Sequence, residues 1–187
     1  MIIGITGTAG AGKDTLARYL SGAGFFHISL SDIIREEARR RGLSLSRRNL
    51  QDLGNQMRRR HGLGIFSEKA LAKIKKGENY AITSIRNPGE VQPLARRREF
   101  VLLAVDAPQE QRFWRVAGRG RENGEEDVFE AFKKSEAREI ASSDASSQQL
   151  AECMKMAQFK IINDADLESF FGKVDVVMAR IAADFKI

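Results

Sequence analysis

The stretch GTAGAGK at residues 7–13 sets Gly7, Gly10 and Gly12 ahead of Lys13. Glycines so placed let a backbone curl until successive N–H groups converge on one anion, and the lysine adds a point charge for β- and γ-phosphate oxygens. A nucleotide would be gripped by Gly7, Thr8, Ala9, Gly10, Ala11, Gly12 and Lys13. The position after the lysine, where such loops usually put the hydroxyl that holds Mg²⁺, is Asp14, and Thr15 supplies a hydroxyl one place later. A carboxylate there would repel bare triphosphate, yet at a helix start it can accept Mg²⁺-bound waters. Asp14 and Thr15 are therefore the expected metal residues of a strongly metal-dependent site. The plainer reading of Asp14 is a first-turn acid turned to solvent.

Further groups able to handle phosphate recur along the chain. Asp32 and Arg35 are three apart and share a helix face, where the arginine could clamp a phosphate and the acid orient an acceptor group or a metal-bound water. An N-capped helix, with Ser31 or Asp32 as the cap and Arg35 solvated, accounts for the same letters. Arg86 follows the apolar run YAITSI, with Glu90 four residues on as a pairing candidate. Arg112, Arg115 and Arg119 fall at i, i+3 and i+7, and Arg121 follows in the glycine-rich GRGRENGEED. These arginines are either mobile charge carriers or a solvated basic face; Trp114 among them is expected to pack.

The elements that must position these residues are legible in the hydrophobic pattern. Short β-branched runs, IIGIT, FFHIS, YAITSI, FVLLAVD and FKIIN, alternate with amphipathic stretches over 13–22, 31–41, 47–76, 89–98, 108–117, 127–157 and 166–184. Five buried-looking strands separated by helices predict a three-layer α/β fold around a parallel sheet. The spacing offers no repeat and no proline-rich linker, so the 187 residues read as one domain, 1–187. With 42% hydrophobic and 30% charged side chains and a net charge of +6, the partner is expected to be anionic. The single Cys153 excludes an internal disulfide framework, and with His27 and His61 the only histidines no zinc site is readable. This suits a reducing cytoplasm, and the opening MIIGI, which stops at the glycine loop, predicts neither a signal peptide nor a membrane span.

The run GKDT resembles the GKGT of adenylate-kinase-like enzymes, and HISLSDIIREEARRRG resembles the start of the acceptor-binding region in nucleoside monophosphate kinases. Taken with NDAD near the end, the chain is similar to P-loop kinases near the dephospho-CoA kinases and deoxynucleoside monophosphate kinases. That resemblance implies a P-loop NTPase fold, strand order 2-3-1-4-5, an acceptor-binding helical region at about 31–76 and a lid at about 112–127. It implies ATP and Mg²⁺ as cofactors, with Lys13, Asp32, Arg86, Arg115 and Arg119 as catalytic residues. Asp32, Arg35 and Arg86 would hold the acceptor, and Arg119 and Asn163 would border the nucleotide. The family often carries an acid near the end of the third strand, where Thr83 and Ser84 stand here, which either moves the burden of holding metal to Asp14, Thr15 and Asp32 or signals reduced catalytic power.

The reaction implied is transfer of the γ-phosphoryl group to a nucleoside monophosphate; transfer to a ribose hydroxyl, as in dephospho-CoA kinases, is the second reading. A regulatory nucleotide-binding module with weak ATPase activity is the third. The expected partner is a small nucleotide, on a monomer or homodimer. Nucleic acid is not favoured, because no basic platform interleaved with aromatic residues is present.

Overall fold

The computed structural model describes residues 1–118, 129–140 and 144–185. Chain order runs β1 (Ile2–Gly7), α1 (Lys13–Gly22), β2 (Phe25–Ser29), α2 (Leu30–Arg40), α3 (Arg47–His61), α4 (Ile65–Leu71) and β3 (Asn79–Ile85). It continues α5 (Pro88–Ala95), β4 (Phe100–Asp106), α6 (Gln109–Ala117), α7 (Phe129–Ile140), α8 (Leu150–Lys155), β5 (Phe159–Ile162) and α9 (Leu167–Phe185). The five strands pair in parallel in the order β2-β3-β1-β4-β5, the order expected.

Successive strand residues point to opposite faces, and both faces of this sheet are covered. On one face Ile2, Ile82 and Leu102 pack with Leu30 and Ile33 of α2, Met57 of α3, Phe66 of α4 and Leu94 of α5. On the other Ile3, Ile5, Val101 and Leu103 pack with Leu16 and Leu20 of α1 and Phe170, Val174 and Ile181 of α9. Every residue of β1 is buried, the expected consequence of a central position under helices on both sides. At the sheet edge β2 and β5 are only partly covered.

Several helix boundaries differ from the sequence reading. The helical region 47–76 divides into two helices: α3 is capped by Gly62, whose φ of 97° suits glycine, and α4 begins after Gly64 and ends at Leu71. Among its described residues the stretch 127–157 likewise holds two helices, α7 and α8. Helix α2 begins at Leu30 with Ser29 in the cap position and no side-chain cap bond, so neither Ser31 nor Asp32 caps it. Trp114, expected to pack, is 65% exposed and meets Phe113 edge-on at 5.1 Å.

One irregularity bears on function. Along β1 and β3, Gly4 faces Ile82 but Thr6 faces Ile85, so β3 carries an extra residue and bulges. Ser84 absorbs it with φ 65°, the one positive φ outside glycine among the described residues. The Thr6 hydroxyl donates to the Ile85 carbonyl at 2.8 Å and pins the far side of the bulge.

Candidate functional site

Three side chains bind the backbone of the loop between β1 and α1, two of them from distant parts of the chain. Lys13 Nζ donates to the Thr8 carbonyl at 2.6 Å, Arg112 Nη1 to Ala9 at 3.4 Å and Asn163 Nδ2 to Ala11 at 2.9 Å. Across a planar trans peptide the next N–H points opposite to the carbonyl, and the chain has no cis bonds among the described residues. The N–H that follows each of these carbonyls, on Ala9, Gly10 and Gly12, therefore points away from that carbonyl's partner. That is the arrangement that grips an anion.

All three loop glycines are required by space as well as by conformation, Gly10 because its φ is 76° and a Cβ there would come within 2.5 Å of the Arg112 carbonyl oxygen. Gly7, with φ 139°, lies so close to β4 that a Cβ would collide with the Val105 carbonyl, and at Gly12, φ 108°, it would come within 2.5 Å of Asn163 Nδ2. Any side chain at these positions strains the backbone and pushes out a neighbour.

A residue not singled out in the sequence anchors the loop from β4. Asp106 ends that strand and its Oδ1 accepts from the Thr8 hydroxyl at 2.8 Å and from the Ala107 amide at 2.9 Å. Its other neighbours are Lys160 at 3.6 Å and Arg112 at 3.8 Å. The available signal was an acid closing the otherwise apolar FVLLAVD at the carboxyl end of a strand, where parallel sheets put their sites.

Arg112 corrects the lid reading. It is buried, donates to the Ala107 carbonyl at 2.8 Å and forms a two-pronged ion pair with Glu136 of α7, one prong at 3.0 Å. Burial pushes its guanidinium down from the usual arginine range, against the pull of Asp106. Arg112 braces the loop and joins α6 to α7, helped by Phe113 against Phe129 and Phe132 at 5.1 and 5.7 Å.

Arg115 is half-buried and donates from Nη1 to the Asn163 carbonyl and from Nη2 to Gln111 Oε1, each at 3.1 Å. Loop, Asn163, Asp106, Arg112 and Arg115 therefore form one cluster. The expected Arg119, with Arg121 and the 119–127 part of the lid, lies outside the described residues.

The acceptor candidates sit across β3 from this cluster. Asp32 and Arg35 pair at 2.6 Å on the first turns of α2, with Asp32 68% exposed. Arg86 leaves β3 just past the bulge, reaches Gln148 at 3.4 Å and accepts through its carbonyl from the Gln149 amide. The proposed Arg86–Glu90 ion pair is replaced. Glu90 is buried against Arg58 of α3, at 2.8 and 3.0 Å, and its second oxygen accepts the backbone N–H groups of Arg86 and Asn87. Glu90 thus sets the Arg86 backbone rather than its guanidinium.

At the end of β3, His27 Nε2 meets the Thr83 hydroxyl at 2.8 Å and Ser29 meets Ser84 at 3.2 Å. These hydroxyls stand where the family often has an acid. A serine at φ 65° costs on the order of 1 kcal/mol. Ser84→Gly is accordingly expected to leave stability unchanged or raise it by up to about 1 kcal/mol, whereas Ser84→Val is expected to lose roughly 1–3 kcal/mol. Denaturant melts of the two variants check this, and equal stability would remove the strain argument.

Among the described residues no three His, Cys, Asp or Glu side chains gather as a metal cage. Mg²⁺ bound to phosphate oxygens and waters needs no such cage, and one or two carboxylates suffice. Asp14, exposed at the start of α1, and Thr15, half-buried beside it, fit that demand. The thiol of Cys153 is pushed far up by burial, which keeps it out of nucleophilic chemistry.

A glycine loop between the central strand and a helix, in a parallel sheet of order 2-3-1-4-5, defines a P-loop kinase-like fold. The chain belongs to the AAA-domain family, whose model matches residues 3–141, and to the UPF0200 proteins. The UPF0200 protein of Methanothrix thermoacetophila is 31% identical over 95% of this chain and 96% of that one. Among solved structures, TT1252 from Thermus thermophilus superposes with a TM-score of 0.63 at 21% identity over 96% of this chain and 97% of that one. The dephospho-CoA kinase from Campylobacter jejuni does so with a TM-score of 0.58 at 17% identity over 98% of each. No helix among the described residues is long and apolar enough to cross a membrane.

Proposed function

We propose that the protein is a Mg²⁺- and ATP-dependent phosphotransferase acting on a nucleoside monophosphate. The observation that carries this reading is the set of arginines flanking the phosphate loop at the carboxyl edge of the sheet. Arg35 and Arg86 follow β2 and β3, and Arg115 is tied to Asn163 beside the loop. A phosphate acceptor is already a nucleophile and needs charge neutralised around it more than a base.

The roles follow from position. Lys13 and the loop amides hold the donor phosphates, Asp106 and Arg112 keep the loop in shape, and Asn163 spaces the loop from β5. Asp14 and Thr15 would hold Mg²⁺ through waters, and the ion when bound supplies positive charge at the phosphate oxygens. Arg35 and Arg86 would bind the acceptor phosphate, and Arg115 would meet charge developing on the transferred group.

A ribose hydroxyl acceptor is the second reading, favoured by the exposure of Asp32, which could take the hydroxyl proton. An acceptor panel with γ-labelled ATP, scoring transfer against free phosphate, separates the two when run on three variants. For a monophosphate acceptor, Arg35→Ala and Arg86→Ala are expected to lose far more transfer than Asp32→Asn. For a hydroxyl acceptor, Asp32→Asn is expected to lose on the order of 10²–10⁴-fold while the arginine variants mainly raise KM. Release of free phosphate alone would support neither and would leave a nucleotide-binding regulator.

A further inference from the structure

Charge in this chain is unevenly spread. Residues 36–76 hold twelve Lys and Arg against four Asp and Glu, a net +8, so the remainder of a chain of net +6 carries −2. This surplus comes from α3, which nets +4, from Arg41 just after α2 and from Lys73, Lys75 and Lys76 after α4, beyond the groups assigned to the acceptor. Arg40 lies eight residues after Asp32, about 12 Å further along the helix axis.

There α2, α3 and α4 border a half-open concavity of about 360 Å³ lined by Glu37, Arg40, Arg41, Met57, Arg60, His61, Ile65 and Lys69. Its volume lies in the range of small-molecule sites. Glu37 is the one carboxylate of the lining, and it is already engaged. Arg40 reaches it at 2.6 and 2.9 Å and Arg41 at 2.6 Å. These two hydrogen-bonded arginines hold its carboxyl down at about 2, so it stays ionised and keeps both guanidinium groups in place. Arg41 is held further by Gln56 at 3.1 Å. Arg60 and Lys69 make no ion pair among the described residues. Four permanent cations thus face one acid over an apolar floor of Met57 and Ile65.

We infer that this concavity is a second oxyanion site, separate from the nucleotide loop, that binds the phosphate groups of a small organic oligophosphate. Arg40 and Arg41, oriented by Glu37, supply directed N–H donors, while Arg60 and Lys69 supply charge from the facing helices. The small volume of this half-open concavity and its apolar floor favour a compact ligand with an uncharged portion over the backbone of a nucleic acid. The inference does not depend on the phosphotransferase reading.

Titration calorimetry with inorganic tripolyphosphate tests it on wild type, on Lys13→Ala, on the exposed pair Arg60→Glu with Lys69→Glu, and on the three changes combined. Thermal melts confirm that each variant is folded. Lys13→Ala is expected to retain one bound equivalent, the Arg60/Lys69 variant to weaken that equivalent by at least tenfold, and the combination to bind none. Should the nucleotide loop fail to bind tripolyphosphate, wild type still shows one equivalent that Lys13→Ala leaves intact, which keeps the two readings distinguishable. Loss of all binding in Lys13→Ala, or unchanged affinity in the Arg60/Lys69 variant, overturns the second site. A competing arm uses a 20-base-pair RNA duplex at 50 and 200 mM salt. Tighter and steeply salt-dependent binding of the duplex, lost in the Arg60/Lys69 variant, would assign the surface to nucleic acid instead and overturn the small-ligand proposal.

Discussion

Lys13→Ala is expected to lower phosphoryl transfer on the order of 10²–10³-fold and to erase the rise in melting temperature that Mg²⁺-ATP gives the wild type. The lysine begins α1 directly after Gly12, and its ammonium lies across the loop within 2.6 Å of the Thr8 carbonyl. It is therefore held against the backbone of the loop that the proposed function assigns to the donor phosphates. Lys13→Arg is not expected to restore activity, because a planar fork does not replace a compact ammonium inside so tight a turn. Melting without nucleotide controls for the lost Thr8 contact and is expected to shift by a few degrees at most, since a single partly exposed hydrogen bond contributes roughly 1 kcal/mol. Equal nucleotide response in Lys13→Ala and wild type would remove the loop from the mechanism.

The largest expected loss of stability is at Glu90. Its carboxylate accepts two N–H groups from Arg58 and two from the backbone of Arg86 and Asn87, and both members of the ion pair are almost wholly buried, at 3% and 1% exposure. Arg58 also lies over the Phe66 ring at 5.3 Å. Glu90→Ala leaves a buried guanidinium without its counter-charge and two amides without an acceptor. Breaking such a pair costs roughly 3–5 kcal/mol, and in a chain of this size that lowers the melting temperature by roughly 6–20 °C. Arg58→Met combined with Glu90→Gln is expected to lose less than Glu90→Ala alone, because no charge is stranded and the amide oxygen can still serve the cap. A loss in the double variant equal to the sum of the Arg58→Met and Glu90→Gln losses measured singly would show that the ion pair carries no coupling. Since Glu90 also sets the backbone at Arg86, Glu90→Ala is expected to impair acceptor binding even where the protein remains folded.

Much of the molecule was readable from local pattern. Apolar runs such as IIGIT and FVLLAVD read as buried strands because a parallel sheet covered on both faces tolerates few polar positions, and the structure buries both. GTAGAGK read as a phosphate loop because positive φ and close approach at Gly7, Gly10 and Gly12 are demands that glycine meets. The strand order came from resemblance and agrees with the sheet.

What sequence could not decide was which charged groups are turned inward and what they meet. Arg112 and Arg115 are three residues apart on one helix and look equivalent in the sequence. The first is buried against Glu136 and the second reaches Asn163, because α7 packs over one part of α6 and the β5 turn over the other. Glu90 looked like a partner for Arg86, four residues away, but the helix that covers it delivers Arg58 from 32 positions earlier. The same holds for Thr8 with Asp106 and Ala11 with Asn163, separated by 98 and 152 residues. Periodicity reports the face of an element and says nothing of its neighbour. Sheet order and register create those neighbours, and the extra residue at Ser84 shifts that register by one place just before Arg86. The loop that can grip phosphate was thus written locally in the chain. The braces that hold its shape, and the direction in which the flanking arginines face, exist only once strands distant in sequence lie side by side.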